Sequence, residues 1–206
     1  MLLSIDPLNP EPWLVARVVQ ALERGGVVVI PTDTVYAYVC SLADRDAPRR
    51  LYEIKGIAPA QRLSILVPDI KTGSRYARDI PNPVFRTMRR VLPGPYTFIF
   101  QASGEVPRIM LRKRRTVGIR LPDCPIALEI LAALGEPLLA SSVRSSAEEF
   151  ILDPIEIEDN ADDELAMVVD GGRLPNEPST VVDLSGDEPI IVREGKGDVS
   201  ALSFLD

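Results

Sequence analysis

Val27-Val28-Val29-Ile30 is an unbroken apolar run, and Pro31 stops it. Such a run reads as a strand buried within a layered domain. The segment before it, Pro10–Arg24, reads as a helix. Trp13, Val15, Val18, Val19 and Leu22 recur at helical spacing, Pro12 suits the first turn, and Gly25-Gly26 ends it. The same alternation continues. Val35–Leu42 reads as a strand, Asp44–Lys55 as a helix capped by Asp44 or Asp46, and Leu63–Val67 as a strand. Short helices are expected at Ile70–Ala77 and Val106–Leu111, and longer ones at Asn82–Val91 and Pro125–Leu134, the last closed by Gly135. Strands are expected at Tyr96–Gln101, Thr116–Leu121 and Leu138–Ser142. Three late strands follow at Met167–Asp170, Ser179–Leu184 and Glu188–Arg193. Helices interleaved with strands along the whole length give an α/β domain with a mixed sheet, a single unit over residues 1–206. The stretch Ser145–Asp163 is polar and acidic and is expected to be loose, with a helix or loop at Asp153–Glu164.

Charge is divided along the chain. Residues 45–120 hold 17 basic and 5 acidic residues, whereas residues 121–206 hold 4 basic and 20 acidic ones. The overall charge of −7 hides this polarity. Of the 23 basic residues, 19 are Arg, the side chain suited to bidentate contacts with phosphate and carboxylate.

Several chemistries are excluded. Histidine is absent, which removes Ser-His-Asp and Cys-His catalysis, histidine metal sites and histidine bases. Cys40 and Cys124 stand far apart with no CxxC, so two reduced buried thiols are expected rather than a disulfide framework or a metal site. No apolar run reaches the ~18 residues of a membrane span. Met1–Pro12 lacks the basic and apolar regions of a secretory signal. A cytoplasmic protein is expected.

Four polar segments adjoin the elements. Pro31-Thr32-Asp33-Thr34 follows the first strand, and Lys55-Gly56 closes a helix. Thr116-Val117-Gly118-Ile119-Arg120, preceded by Arg112-Lys113-Arg114-Arg115, would aim a guanidinium at an anion. Ala140-Ser141-Ser142-Val143-Arg144-Ser145-Ser146 offers hydroxyls and amides for an anion nest. Strand ends are where open α/β sheets place their sites. Neither a P-loop nor a dinucleotide fingerprint is present. The residues alone therefore point to an anion-binding α/β domain without a nucleophile or general base of its own.

Six segments in order resemble the motifs of the YrdC-like family. They are Gly26–Tyr36, Tyr52–Gly56, Leu92–Thr97, Gly118–Pro122, Pro178–Asp183 and Val192–Gly195, together spanning residues 26–195 and leaving a tail at 196–206. The resemblance implies a twisted mixed sheet flanked by helices around a concave basic cavity. It implies threonylcarbamoyl-adenylate synthase chemistry, which joins threonine, bicarbonate and ATP with Mg²⁺ and releases pyrophosphate on the way to a modified transfer RNA. No permanent cofactor and no metal-ligating residues are implied. By the same resemblance Thr34, Arg120 and Thr180 would contact the amino-acid substrate. Lys55, Thr116, Ser142 and Arg193 would contact the nucleotide.

Two positions depart from the family pattern. Ile57 stands where a Lys-x-Arg motif has Arg, and Arg144 where a Ser-x-Asn motif has Asn; Ala140 replaces an upstream Ser. Losing a charge-assisted contact costs roughly 1.5–3 kcal/mol, enough to weaken or alter activity. Arg62 and Arg144 are candidates to compensate. This pattern resembles the YciO branch of the family. An alternative is binding of double-stranded or transfer RNA by the basic cavity without catalysis, which the scarcity of aromatic residues for base stacking disfavours. A third is a domain kept for partner contacts, with Asp153–Glu164 as its surface.

Overall fold

Strands and helices alternate in the computed structural model, which describes residues 1–56, 63–111, 115–161, 164–202 and 204. In chain order they are β1 (Leu2–Ser4), α1 (Pro12–Glu23), β2 (Val27–Ile30), β3 (Ala37–Ser41), α2 (Ala47–Ile54), β4 (Ser64–Leu66), α3 (Ile70–Ser74) and α4 (Asn82–Val91). Then come β5 (Tyr96–Gln101), β6 (Thr116–Arg120), α5 (Pro125–Leu134), β7 (Leu138–Ser142), α6 (Pro154–Asp159), β8 (Leu165–Asp170), β9 (Thr180–Asp183) and β10 (Ile190–Arg193). The expected single α/β domain with a mixed sheet is what forms.

The ten strands of the described residues join one sheet in the order β1-β8-β2-β3-β7-β4-β6-β5-β9-β10. Four of its nine pairings are parallel (β1/β8, β8/β2, β4/β6 and β5/β9), and the other five are antiparallel. Strand residues alternate between two faces. In β2, Val28 and Ile30 pack with Val15, Val18 and Leu22 of α1 and Ile126 and Ile130 of α5. Val27 and Val29 pack on the opposite face, in a core shared with Leu51 of α2, Met88 of α4 and Ile157 of α6. This two-sided covering is why β2 reads as a continuous apolar run. Burying each large aliphatic side chain contributes about 1.5–3 kcal/mol.

The helices α1 and α5 cover only the half of their face formed by β8, β2, β3 and β7. On β4, β6, β5 and β9 the same face carries Ser64, Gly118, Thr97 and Val181, which line a cavity instead of a helix interface. The opposite face of these strands is core, through Ile65, Val117, Ile119, Phe98 and Val182. The incomplete helix layer creates the concavity.

Two details differ from the sequence reading, and one alternative that it left open is decided. β1 belongs to the sheet, although three residues at the start of the chain gave too little pattern to read as a strand. Asp44 rather than Asp46 tethers the start of α2, accepting from the amides of Asp46 at 2.8 Å and Ala47 at 2.7 Å. Backbone contacts hold its carboxyl below the usual carboxylate range. The stretch expected to be loose carries a turn closed by Ser145 N–H to Glu149 O at 2.9 Å, followed by α6. Ile151 and Ile157 anchor it in the core. Ile57, Arg62 and Arg112–Arg114 lie outside the described residues. No helix among the described residues is long and apolar enough to cross a membrane.

Candidate functional site

The cavity has a volume of about 420 Å³. Lys55, Arg120, Arg144 and Arg193 line it, and no carboxylate is among its lining residues within the described part of the chain. Hydroxyls of Ser64, Thr97, Thr116, Ser141, Ser142 and Ser179 surround the cations, and Leu63, Ile99, Met110, Val181 and Val192 form an apolar part of the wall. Gly118 leaves the floor open: a Cβ there would stand 3.3 Å from Thr97 and 3.5 Å from Ser64.

Lys55 follows α2 and crosses to the end of β7. Its ammonium donates to Ser141 Oγ at 2.6 Å and to the Ser142 carbonyl at 2.8 Å, and lies 5.8 Å from the Tyr38 ring centroid. Burial first, and the nearby Arg144 charge second, push the amine down to about 8.

Arg120 ends β6 and is buried. One terminal nitrogen donates to Thr32 Oγ1 at 3.1 Å and Thr34 Oγ1 at 2.6 Å, and pairs with the Asp33 carboxylate. The turn after β2 is thus a socket for this guanidinium. Thr32 completes the socket by donating to the Val35 carbonyl at 2.7 Å.

Arg193 reaches the cavity through a bulge in β10. Ile191 pairs with Val182, but the next pairing joins Arg193 to Val181, leaving Val192 as an extra residue. Strict alternation would direct Arg193 to the core face. The bulge turns it to the cavity beside Val192. Its Nε donates to the Ser179 carbonyl at 2.9 Å and a terminal nitrogen to Ser179 Oγ at 3.1 Å. Ser179 Oγ is in turn 2.9 Å from Thr97 Oγ1. Burial lowers the Arg193 pKa from its ordinary value, with Arg144 and then Arg120 adding like charge. The three guanidinium groups therefore act on one small volume.

The structure brings together six of the residues singled out from sequence: Lys55, Thr116, Arg120, Ser142, Arg144 and Arg193 all line the cavity. It does not bring Thr34 or Thr180 there. Thr34 is fully buried and spends its hydroxyl on Arg120 and Thr32. Thr180 is also fully buried; it donates to Gly197 O at 2.6 Å and accepts from Gly195 N–H at 3.0 Å. Both support the wall from behind. Arg62 lies outside the described residues.

Sequence reasoning missed the contributions of Ser179, Thr97 and Lys196, and it had Asp33 and Ser141 only as members of polar segments without a role. Lys196 donates to the Asp33 carbonyl at 2.7 Å, so residues 193–198 strap the cavity rim to the socket of Arg120. Asp33, Ser141, Ser179 and Thr97 lie inside recognised segments, but only the sheet order brings them to the cations.

The fold and site define an α/β domain whose uncovered sheet half carries a cavity lined by Lys55, Arg120, Arg144 and Arg193. The chain belongs to the Sua5/YciO/YrdC family, whose model, described as telomere recombination, matches residues 20–195. It is 40% identical to YciO of Escherichia coli over 197 residues, 95% of either chain. The crystal structure of that protein superposes with a TM-score of 0.91 at 38% identity, covering 98% of both chains. The threonylcarbamoyl-AMP synthase of Pyrococcus abyssi is 28% identical over 187 residues, 90% of this chain but 55% of that one. Sua5 of P. abyssi in complex with L-threonine superposes with a TM-score of 0.91 at 25% identity, covering all of this chain and 60% of that one.

Proposed function

We propose that this chain binds a nucleotide in the open-sheet cavity and handles threonylcarbamoyl-adenylate chemistry, with ATP, L-threonine and bicarbonate as substrates. One observation carries the reading: among the described residues, four cations and no carboxylate line a cavity of about 420 Å³. An oxyanion entering there meets charge-assisted donors, which are roughly twice as strong as neutral ones. Likeness to threonylcarbamoyl-AMP synthases over most of the chain supports the choice of substrates.

The chemistry asks little of side chains beyond position. The amine of threonine and bicarbonate condense to a carbamate, the C–N bond forming as the C–OH bond of bicarbonate breaks and water leaves, and the carbamate presents a carboxylate oxygen to the α-phosphorus of ATP. The new P–O bond forms as the bond to pyrophosphate breaks. In this reading Lys55, Arg144 and Arg193, which line the cavity, hold phosphoryl oxygens, and Arg120 receives the amino-acid carboxylate. Mg²⁺ enters as part of the nucleotide substrate. Ile57 and Arg144 at two motif positions make a slower or altered reaction the expectation.

Calorimetric titration with ATP and Mg²⁺ in the presence of threonine and bicarbonate, followed by assay of released pyrophosphate, tests this. Binding with threonine-dependent release is the expected result. Binding without release would leave a nucleotide site with other chemistry, and no binding overturns the reading. RNA is the less supported ligand, because Tyr36, Tyr52, Tyr76 and Tyr96 are buried in the core and do not offer a stacking platform.

A further inference from the structure

Arg144 leaves the end of β7 and is held by the turn that follows it. The backbones of Arg144 and Phe150 pair as an antiparallel bridge, and Glu148 N–H donates to the Ser145 carbonyl at 3.0 Å to close the turn. The guanidinium carbon of Arg144 lies 4.1 Å from the Phe150 ring centroid. One terminal nitrogen donates to the Glu148 carbonyl at 2.6 Å. The Glu148 carboxylate stands 3.7 Å from that same nitrogen and is about three-quarters exposed.

These contacts differ in what they do. The ring face and the carbonyl fix the plane of the guanidinium while leaving it charged. The exposed carboxylate offsets that charge weakly. Glu148 also adopts φ 63°, a region that residues other than glycine rarely occupy, so the turn holds it against a backbone preference. Arg144 also adds like charge to Lys55 and Arg193 across the cavity. Three cations so placed repel one another until an anion arrives, and a more highly charged anion relieves more of that repulsion.

We infer that the 144–150 turn is a holder for an anion-reading arginine, with Phe150 as a positioning residue and the Glu148 carboxylate as a counter-charge that the ligand displaces. The arginine held in this way selects a polyphosphate over a monophosphate. This rests on the nucleotide reading of the cavity.

The test is calorimetry with ATP and with AMP on the wild type, Phe150→Leu, Phe150→Tyr, Glu148→Gln, Arg144→Asn and the double variants on Arg144→Asn. Phe150→Leu is expected to weaken ATP about threefold to tenfold and AMP less than about twofold, while Phe150→Tyr restores binding. Glu148→Gln is expected to tighten ATP about twofold to fivefold, opposite to what mere damage to the turn would do. In the Arg144→Asn background both substitutions are expected to be silent. Equal weakening by Phe150→Leu with and without Arg144, or weakening by Glu148→Gln, overturns the inference. If the wild type binds neither nucleotide, the nucleotide reading falls. The same cycle is then read with inorganic tripolyphosphate: coupling through Arg144 sustains the holder, and lack of binding overturns it as well.

Discussion

The carboxylate of Asp33 lies against the guanidinium of Arg120, 87 residues away, with both side chains more than nine-tenths buried. Each keeps one buried polar atom without a hydrogen-bond partner among the described residues, Oδ2 of Asp33 and Nε of Arg120. The pair joins the turn after β2 to the end of β6 at the cavity wall. Removing one partner leaves the other charge buried and uncompensated, which costs about 3–5 kcal/mol. Asp33→Ala is therefore expected to lower unfolding stability by about that amount, read from the urea midpoint at an unchanged slope. A loss below about 1 kcal/mol would mean that Thr32 and Thr34 alone hold Arg120.

Lys55 carries the pH dependence of the cavity. Its amine is pushed down to about 8, so it is charged below that pH and neutral above it. In the unfolded chain it holds its proton to about pH 10.4. Between those values the unfolded state binds the extra proton, and stability rises with pH. Anion affinity moves the other way. ATP is expected to bind progressively more weakly as pH rises through about 8. Lys55→Met is expected to bind ATP more weakly and to flatten the profile. A wild-type affinity constant from pH 7 to pH 9.5 would contradict this.

Arg193 enters the cavity only because Val192 is an extra residue in β10. Arg193→Ala removes charge-assisted contacts worth roughly 1.5–3 kcal/mol to a ligand, about tenfold to a hundredfold in dissociation constant for ATP. Val192→Ala keeps the bulge and is expected to change ATP affinity by less than about threefold. Titration of both variants separates the arginine from its neighbour. Equal losses would mean that the bulge, not the charge, governs binding.

The strap over residues 193–198 depends on close backbone approach. A Cβ on Gly195 would sit 2.2 Å from the Pro178 carbonyl and 2.7 Å from that of Ser179, neither of which is a flexible side-chain end. Gly195→Ala is expected to lift the strap, to break the Lys196 contact with Asp33, and to destabilise by about 1–3 kcal/mol. Gly104→Ala, whose Cβ would meet nothing within 4 Å, is the control. Thermal unfolding of both variants checks this, and matched melting temperatures would refute it.

The fold was largely legible, and the site less so. The periodicity of α1, the ends of α4, β5, α5 and β7, and Gly135 in the left-handed region after α5 all follow from local pattern. β1 escaped because Leu2–Ser4 is stabilised by pairing with β8, some 166 residues away. Arg120 and Lys55 could be singled out because a cation beside a strand or at a helix end is visible in one dimension. That Thr34 and Thr180 turn inward, and that Arg193 turns outward, depends on sockets and a bulge that join distant segments. Alternation alone assigns Arg193 to the wrong face.

Along β6 the residues divide by parity. Val117 and Ile119 belong to the core, whereas Thr116, Gly118 and Arg120 meet the cavity. β5 divides in the same manner, with Phe98 and Phe100 in the core and Thr97 and Ile99 at the cavity. Selection for folding and selection for ligand thus act on different letters of one short word. Thr116 can be substituted while Val117 and Ile119 keep the sheet intact, whereas Arg120 serves both ends, because the buried Asp33 depends on its charge. Ligand preference in this architecture can therefore be retuned at positions such as Thr116 without disturbing the core beneath them.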